Sequence, residues 1–182
     1  PGNNNQNQGQ TENKPGSGND QNQGNNNNNQ ENNNNQGGNI ENNNQNNNNS
    51  TNTSDFSKEQ VEVLNLVNKE RAAQGLKPLT LNKELSRVAT LKSKDMNDKN
   101  YFDHTSPTYG SPFDMMKQFG ISYKTSGENI AMGQRTPSEV MTDWMNSSGH
   151  RANILNSNFT ELGVGIYKGA NGTIYWTQMF IG

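Results

Sequence analysis

The chain has 182 residues and no cysteine, which rules out a disulfide framework, a thiolate metal site and a thiol nucleophile. Its formal net charge is −2 and it contains no basic run, so it offers no electrostatic footprint for nucleic acid or for an anionic membrane surface. No apolar run approaches the roughly 20 residues that cross a bilayer as a helix.

Residues 1–54 hold 25 Asn and 8 Gln, with Ile40 as their one large hydrophobe. So little apolar surface does not offset about 1–2 kcal/mol of backbone entropy per ordered residue. The stretch therefore reads as a disordered arm or linker, with no secondary structure assigned to it. Self-association through amide ladders is the other use of such a tract. Residues 55–182 are close to neutral and of a length that suits one domain with one core.

Within that domain the helix signals are clear. Ser57-Lys58-Glu59-Gln60 is a capping box. It opens a helix carrying Val63, Leu64, Val67 and Ala72, stopped by Gly75. Pro78-Leu79-Thr80-Leu81 is a short extended link. Asn82 caps a second helix with Leu85, Val88, Ala89, Lys92 and Met96 on one stripe, ending near Lys99-Asn100. The loop Tyr101–Gly110 holds His104. Ser111-Pro112-Phe113-Asp114 starts a short helix with Met115, Met116 and Phe119, stopped by Gly120. Residues 121–133 are mixed, with Glu128 in a short extended piece. Thr136-Pro137-Ser138-Glu139 repeats the cap-plus-Pro grammar before Val140, Met141, Trp144 and Met145, and Ser148-Gly149-His150-Arg151 reads as a turn. Leu162, Val164 and Ile166 alternate as in a strand, Asn171-Gly172 marks a hairpin turn, and residues 174–181 alternate with both faces apolar or amphipathic. That last strand is expected to be central and covered on both sides. Helices followed by a hairpin indicate an α+β domain with helices packed on an antiparallel sheet.

The chain has two histidines, His104 and His150, and they are the side chains suited to metal binding and proton transfer near neutral pH. Two neutral imidazoles with one or two carboxylates make a set for zinc or another divalent cation, or for general acid–base work. Ser106, Ser147 and Ser148 are candidate nucleophiles, but no nucleophile-elbow pattern surrounds any of them. The structural alternative is a buried polar network among His104, Glu128 and His150 that specifies the fold without turnover. Trp144, Trp176, Met115 and Met116 read as core, and Arg151 as a surface or loop-pinning residue.

Several segments together carry a resemblance. They are Asp103-His104-Thr105-Ser106-Pro107, Gly127-Glu128-Asn129-Ile130-Ala131, Trp144, Ser148-Gly149-His150-Arg151 through Ile154-Leu155, Glu161-Leu162-Gly163-Val164-Gly165 and Tyr175-Trp176-Thr177-Gln178. In this order and spacing the chain resembles the CAP superfamily (SCP-like; cysteine-rich secretory, antigen 5 and pathogenesis-related proteins), and within it the bacterial extracellular branch in which sporulation-associated members occur. The resemblance implies an α-β-α sandwich with a central antiparallel sheet between helical layers, and a cleft lined by two His and two Glu. Carried over by residue, these are His104, Glu128 and His150. The fourth position falls on Ser147, where eukaryotic relatives have Glu, and Glu161 is the other candidate for it.

The expected function is a secreted, non-enzymatic binding module of the envelope, spore or extracellular space, whose cleft takes a divalent metal such as zinc or a small ligand: a lipid, a glycan or a cell-wall fragment. No organic cofactor and no nucleic-acid partner are expected. The alternatives are a metal-dependent hydrolase of peptide or cell-wall bonds and a structural spore or wall component. Hydrolysis requires His104 and Glu128 to share a cleft open to water. Binding requires an extended, apolar-rimmed cleft. The structural reading requires the polar residues to be bonded to one another and shielded.

Overall fold

The helix caps read from the sequence are made in the computed structural model, which describes residues 7–13 and 53–182. The Ser57 Oγ accepts from the Gln60 backbone N–H, and the Gln60 side chain accepts from the Ser57 N–H, opening α1 (Lys58–Ala73). Asn82 Oδ1 accepts from the Leu85 N–H at the head of α2 (Lys83–Asp98). Ser111 and Asp114 bond reciprocally at α3 (Pro112–Gln118), and Thr136 Oγ1 accepts from the Glu139 N–H at α4 (Pro137–Asn146). Each cap satisfies a first-turn N–H that has no partner inside its helix.

A fifth helix, α5 (Ser148–Ile154), replaces the turn expected at Ser148–Arg151. Ser147, extended at φ −104° and ψ 122°, ends α4 and begins α5. Its hydroxyl lies on the His150 ring rather than on a backbone N–H. The usual cap signature is therefore missing, and Gly149 further masks the helix.

Five strands form one sheet in the order β1-β3-β5-β4-β2, with β1 Asn7–Asn13, β2 Thr80–Leu81, β3 Thr125–Met132, β4 Glu161–Lys168 and β5 Ile174–Ile181. All neighbours are antiparallel except the two-residue β2, which runs parallel to β4. The central place of β5 fits its two-sided pattern. β1 lies inside the arm, where the sequence suggested no structure. Its residues carry no alternating pattern, so periodicity could not find it, and its main chain pairs with the outer edge of β3. The expectation for residues 1–6 and 14–52 lies outside the described residues.

Strand alternation sends side chains to two faces. Ala131, Leu162, Val164, Trp176 and Phe180 pack against α1, α4 and α5, in a core with Val63, Val67 and Trp144. On the other face, Met179 and Ile181 meet Leu85, Val88, Ala89 and the α3 methionines, while Ile130 and Tyr175 meet Met96. The result is the expected α-β-α sandwich. Trp144, Trp176, Met115 and Met116 are core residues as read, and Arg151 is exposed. The two glycines of the 161–165 segment set how closely α2 approaches. A Cβ on Gly163 would collide with the backbone of Leu85, and one on Gly165 with that of Ala89.

Candidate functional site

Glu128 sits in the middle of β3 and points toward the α2 face, one residue before Asn129, which points to the opposite face. Its side chain is 0% exposed, and its Oε1 lies 2.7 Å from Nδ1 of His104. An ionised Glu128 requires the proton on Nδ1, leaving Nε2 of a neutral ring as an acceptor. Glu128 Oε2 and His104 Nε2 are both buried without a hydrogen-bond partner among the described residues.

Helix α2 holds the His104 loop in place. Lys92, 1% exposed, projects from the apolar stripe of α2 and donates its Nζ to the carbonyls of Asp103 (2.8 Å) and His104 (2.7 Å) and to the Tyr101 hydroxyl (3.2 Å). Burial lowers the pKa of this ammonium, opposed by the charges of Glu128, Asp95 and Asp103. One turn further on, Asp95 accepts from the hydroxyls of Tyr101, Ser106 and Thr108, each at 2.6 Å. Burial would raise the Asp95 carboxyl, but these three donors and Lys92 together hold it below the ordinary range. Tyr101 is pushed up by burial and by its bond to Asp95. Ser106 is fully used in this arrangement: it donates to Asp95 and accepts from the Thr108 and Tyr109 N–H groups.

The other candidates lie elsewhere. His150 is buried on α5, with Nδ1 2.7 Å from Ser147 Oγ. Helix α5 packs on the Asn129 face of the sheet, opposite the Glu128 carboxylate. There Asn129 Nδ2 donates to the His150 carbonyl and to Gln178 Oε1, and Asn153 Nδ2 donates to Asn129 Oδ1 and to the Glu128 carbonyl. Glu161 begins β4, with β5 between it and β3, and accepts from Asn82. Ser148 is exposed. The fold thus brings His104 and Glu128 into contact and places His150, Ser147 and Glu161 apart from them. Among the described residues no three of His, Cys, Asp or Glu form a group that could hold a metal ion. Among the described residues the donors at the His104–Glu128 pair number two, where a catalytic zinc site uses three protein ligands.

Sequence reasoning missed Lys92 and Asp95 as supports of His104. One signal was present: a lysine on the buried stripe of α2 needs internal acceptors. Arg71 was also missed. It is 1% exposed and donates to the carbonyls of Lys77, Ile154 and Asn156, clipping α1 to the segment after α5.

The sequence pattern described as the cysteine-rich secretory protein family, CAP, matches residues 64–180. The chain belongs to this family. Over 129 residues it is 64% identical to the uncharacterized protein YkwD of Bacillus subtilis strain 168, covering 71% of this chain and 49% of YkwD. Over 120 residues it is 38% identical to the uncharacterized membrane protein YlbC of the same organism, covering 66% of this chain and 33% of YlbC. Among solved structures, an extracellular protein containing a SCP domain from Bacillus anthracis strain Ames superposes with a TM-score of 0.63 at 37% identity, over 68% of this chain and 40% of that one. The chain therefore spans half or less of each of these relatives. CAP membership and the shared fold stand here without the cysteines of the family's name, so the domain is held by its core and polar networks. No helix among the described residues is long and apolar enough to cross a membrane.

Proposed function

We propose that this CAP domain is a non-enzymatic binding module of the extracellular space or cell envelope, with the Glu128–His104 pair as its polar anchor. The observation that carries this reading is the buried pair itself, whose Oε2 and Nε2 are left without partners among the described residues. The free carboxylate oxygen of Glu128 accepts hydrogen bonds, and the free ring nitrogen of His104 accepts or donates according to its tautomer. The complementary ligand therefore carries hydrogen-bonding groups, such as the hydroxyls and amides of a glycan or cell-wall fragment, rather than a lipid tail. Both atoms are closed to solvent, so the ligand reaches them when the Tyr101–Gly110 loop shifts. Shielding of the pair and full engagement of Ser106 argue against an open hydrolytic centre. The kinship with an extracellular SCP-domain protein supports the location.

The same shielding favours a second reading, in which the pair only locks the His104 loop to β3. Titration with a soluble disaccharide–tetrapeptide wall fragment, followed through the His104 ring signals by NMR, separates the two. A saturable shift that disappears in Glu128→Gln, with the fragment intact afterwards, is the expected result. No shift, with a lowered melting temperature in the variant, leaves only the lock. Cleavage abolished by His104→Ala would overturn the proposal in favour of a hydrolase. Tight binding of zinc alone that depends on both residues would make the anchor a metal site.

A further inference from the structure

The hairpin between β4 and β5 is closed by Ala170, Asn171 and Gly172. The Gly172 N–H donates to the Gly169 carbonyl (2.9 Å), and the Gly169 N–H donates to the Thr173 carbonyl (2.8 Å). This is a β-turn followed by a bulge, and Gly172 fills the bulge position at φ +84°, where a side chain would be strained. The turn motif is also the chain's one Asn-Gly pair. Asparagine is a thermolabile side chain, and most so where nothing shields the peptide nitrogen that follows it.

The loop turns the Asn171 side chain back onto its own main chain. Asn171 Oδ1 accepts from the Thr173 N–H (3.0 Å), an Asx turn. The ring closed by this bond passes through Cγ of Asn171 and the Gly172 nitrogen, so it folds the carboxamide toward that nitrogen. The same bond draws electron density away from Cγ. Gly172 has no side chain to screen the approach, and both residues are exposed to water. The obstacle is the bond from the Gly172 N–H to Gly169. It is a single main-chain bond at an exposed tip, of the kind that opens locally at little cost. Asn156 gives an internal comparison. Its Oδ1 makes the equivalent bond to the Asn158 N–H (2.9 Å), but Ser157, with a side chain, follows it.

We propose that Asn171 is a self-modification site, at which the Gly172 nitrogen displaces ammonia from the Asn171 carboxamide and water reopens the resulting succinimide to aspartate and isoaspartate. The nitrogen gives its proton to solvent base, the N–Cγ bond forms, the Cγ–Nδ2 bond breaks, and Nδ2 leaves as ammonia with a proton from water. Hydrolysis at Cγ restores the original main chain as aspartate. Hydrolysis at the main-chain carbonyl of Asn171 reroutes the chain through Cβ and Cγ as isoaspartate. Either product adds a negative charge, and that charge falls beside the last turn of α2. A Cβ on Gly169 would meet both Asn171 Oδ1 and Asn97 Oδ1, so the hairpin tip rests on that turn. The C-terminal end of a helix is negative, and Asp98 already stands there. The modification therefore weakens the seating of the hairpin on the helix that carries Lys92 and Asp95.

The test follows the full chain over days at mildly alkaline pH, by peptide mapping and mass spectrometry. Asn171 should convert about tenfold or more faster than Asn156, with both aspartate and isoaspartate formed. In Asn171→Gln, which would have to close a larger ring, position 171 should keep its amide. Persistence of the Asn171 amide through a period in which a free peptide of residues 168–174 converts would overturn the proposal. So would earlier conversion of Asn156, or loss of the amide in Asn171→Gln at the parent rate. Asn171→Asp carries the charge on an unaltered main chain and should melt below the parent protein. An equal melting temperature would overturn the placement of the new charge against α2.

Discussion

His104 and Glu128 matter to each other unequally. Removing the imidazole leaves a fully buried carboxylate with Lys92 as its remaining charged neighbour, whereas Glu128→Gln keeps the shape and an acceptor for Nδ1 and loses only the charge. An orphaned buried charge costs several kcal/mol, and a charge-assisted bond made neutral costs far less. His104→Ala should therefore destabilise the domain by about 3 kcal/mol and Glu128→Gln by about 1 kcal/mol. Urea titration of each variant measures the difference. Equal losses would mean that His104 does not serve to compensate a buried charge at Glu128. From the sequence, these two residues could be singled out as chemistry-bearing, but their contact could not be read. A loop and a strand 24 positions apart are joined only by the fold, and the same wide spacing let His150 look like a third member when α5 holds it on the far side of the sheet.

At the scale of elements, what was legible depended on local repetition. α1 to α4 announce themselves through caps and apolar spacing, and β4 and β5 through alternation. α5 and β1 do not: the first has no side-chain cap bond and contains Gly149, and the second has no side-chain pattern at all. The packing of α2 on the sheet was equally hidden, because it depends on what is missing at Gly163 and Gly165. A methyl group at Gly165 would meet the backbone of Ala89, which cannot swing aside as a side-chain tip can. Gly165→Ala should cost more than about 2 kcal/mol, at the upper end of overpacking penalties. It should also push α2 outward and loosen Lys92 from the Asp103 and His104 carbonyls. Thermal melting gives the first effect, and exchange of the Tyr101–Gly110 amides the second. A variant with native stability would show that α2 adjusts freely and does not fix the His104 loop.

Across the whole molecule, a polar spine runs through what would otherwise be two apolar layers. Ser93 meets Thr177 and Lys92 meets the loop on the α2 face, while Asn129, Gln178 and Asn153 interlock on the other. One bond in that spine, from the Tyr101 hydroxyl to Asp95, ties stability to pH at both ends of the scale. The folded pKa of Asp95 is lowered. Its stabilising contribution is therefore present above the unfolded value of about 3.9 and is lost as pH falls through the folded value. The folded pKa of Tyr101 is raised, so its contribution is complete below the unfolded value of about 10 and is lost as pH rises through the folded one. Melting temperature against pH should accordingly show a plateau between about 4 and 10 with a decline on each side. In Tyr101→Phe the tyrosine titration is gone and Asp95 has one donor fewer, so both declines should become shallower while the plateau itself drops. Parallel curves for the two proteins would mean that this bond is not what links the loop's stability to proton binding, and that the His104 loop is held by Lys92 and by the Ser106 and Thr108 bonds to Asp95.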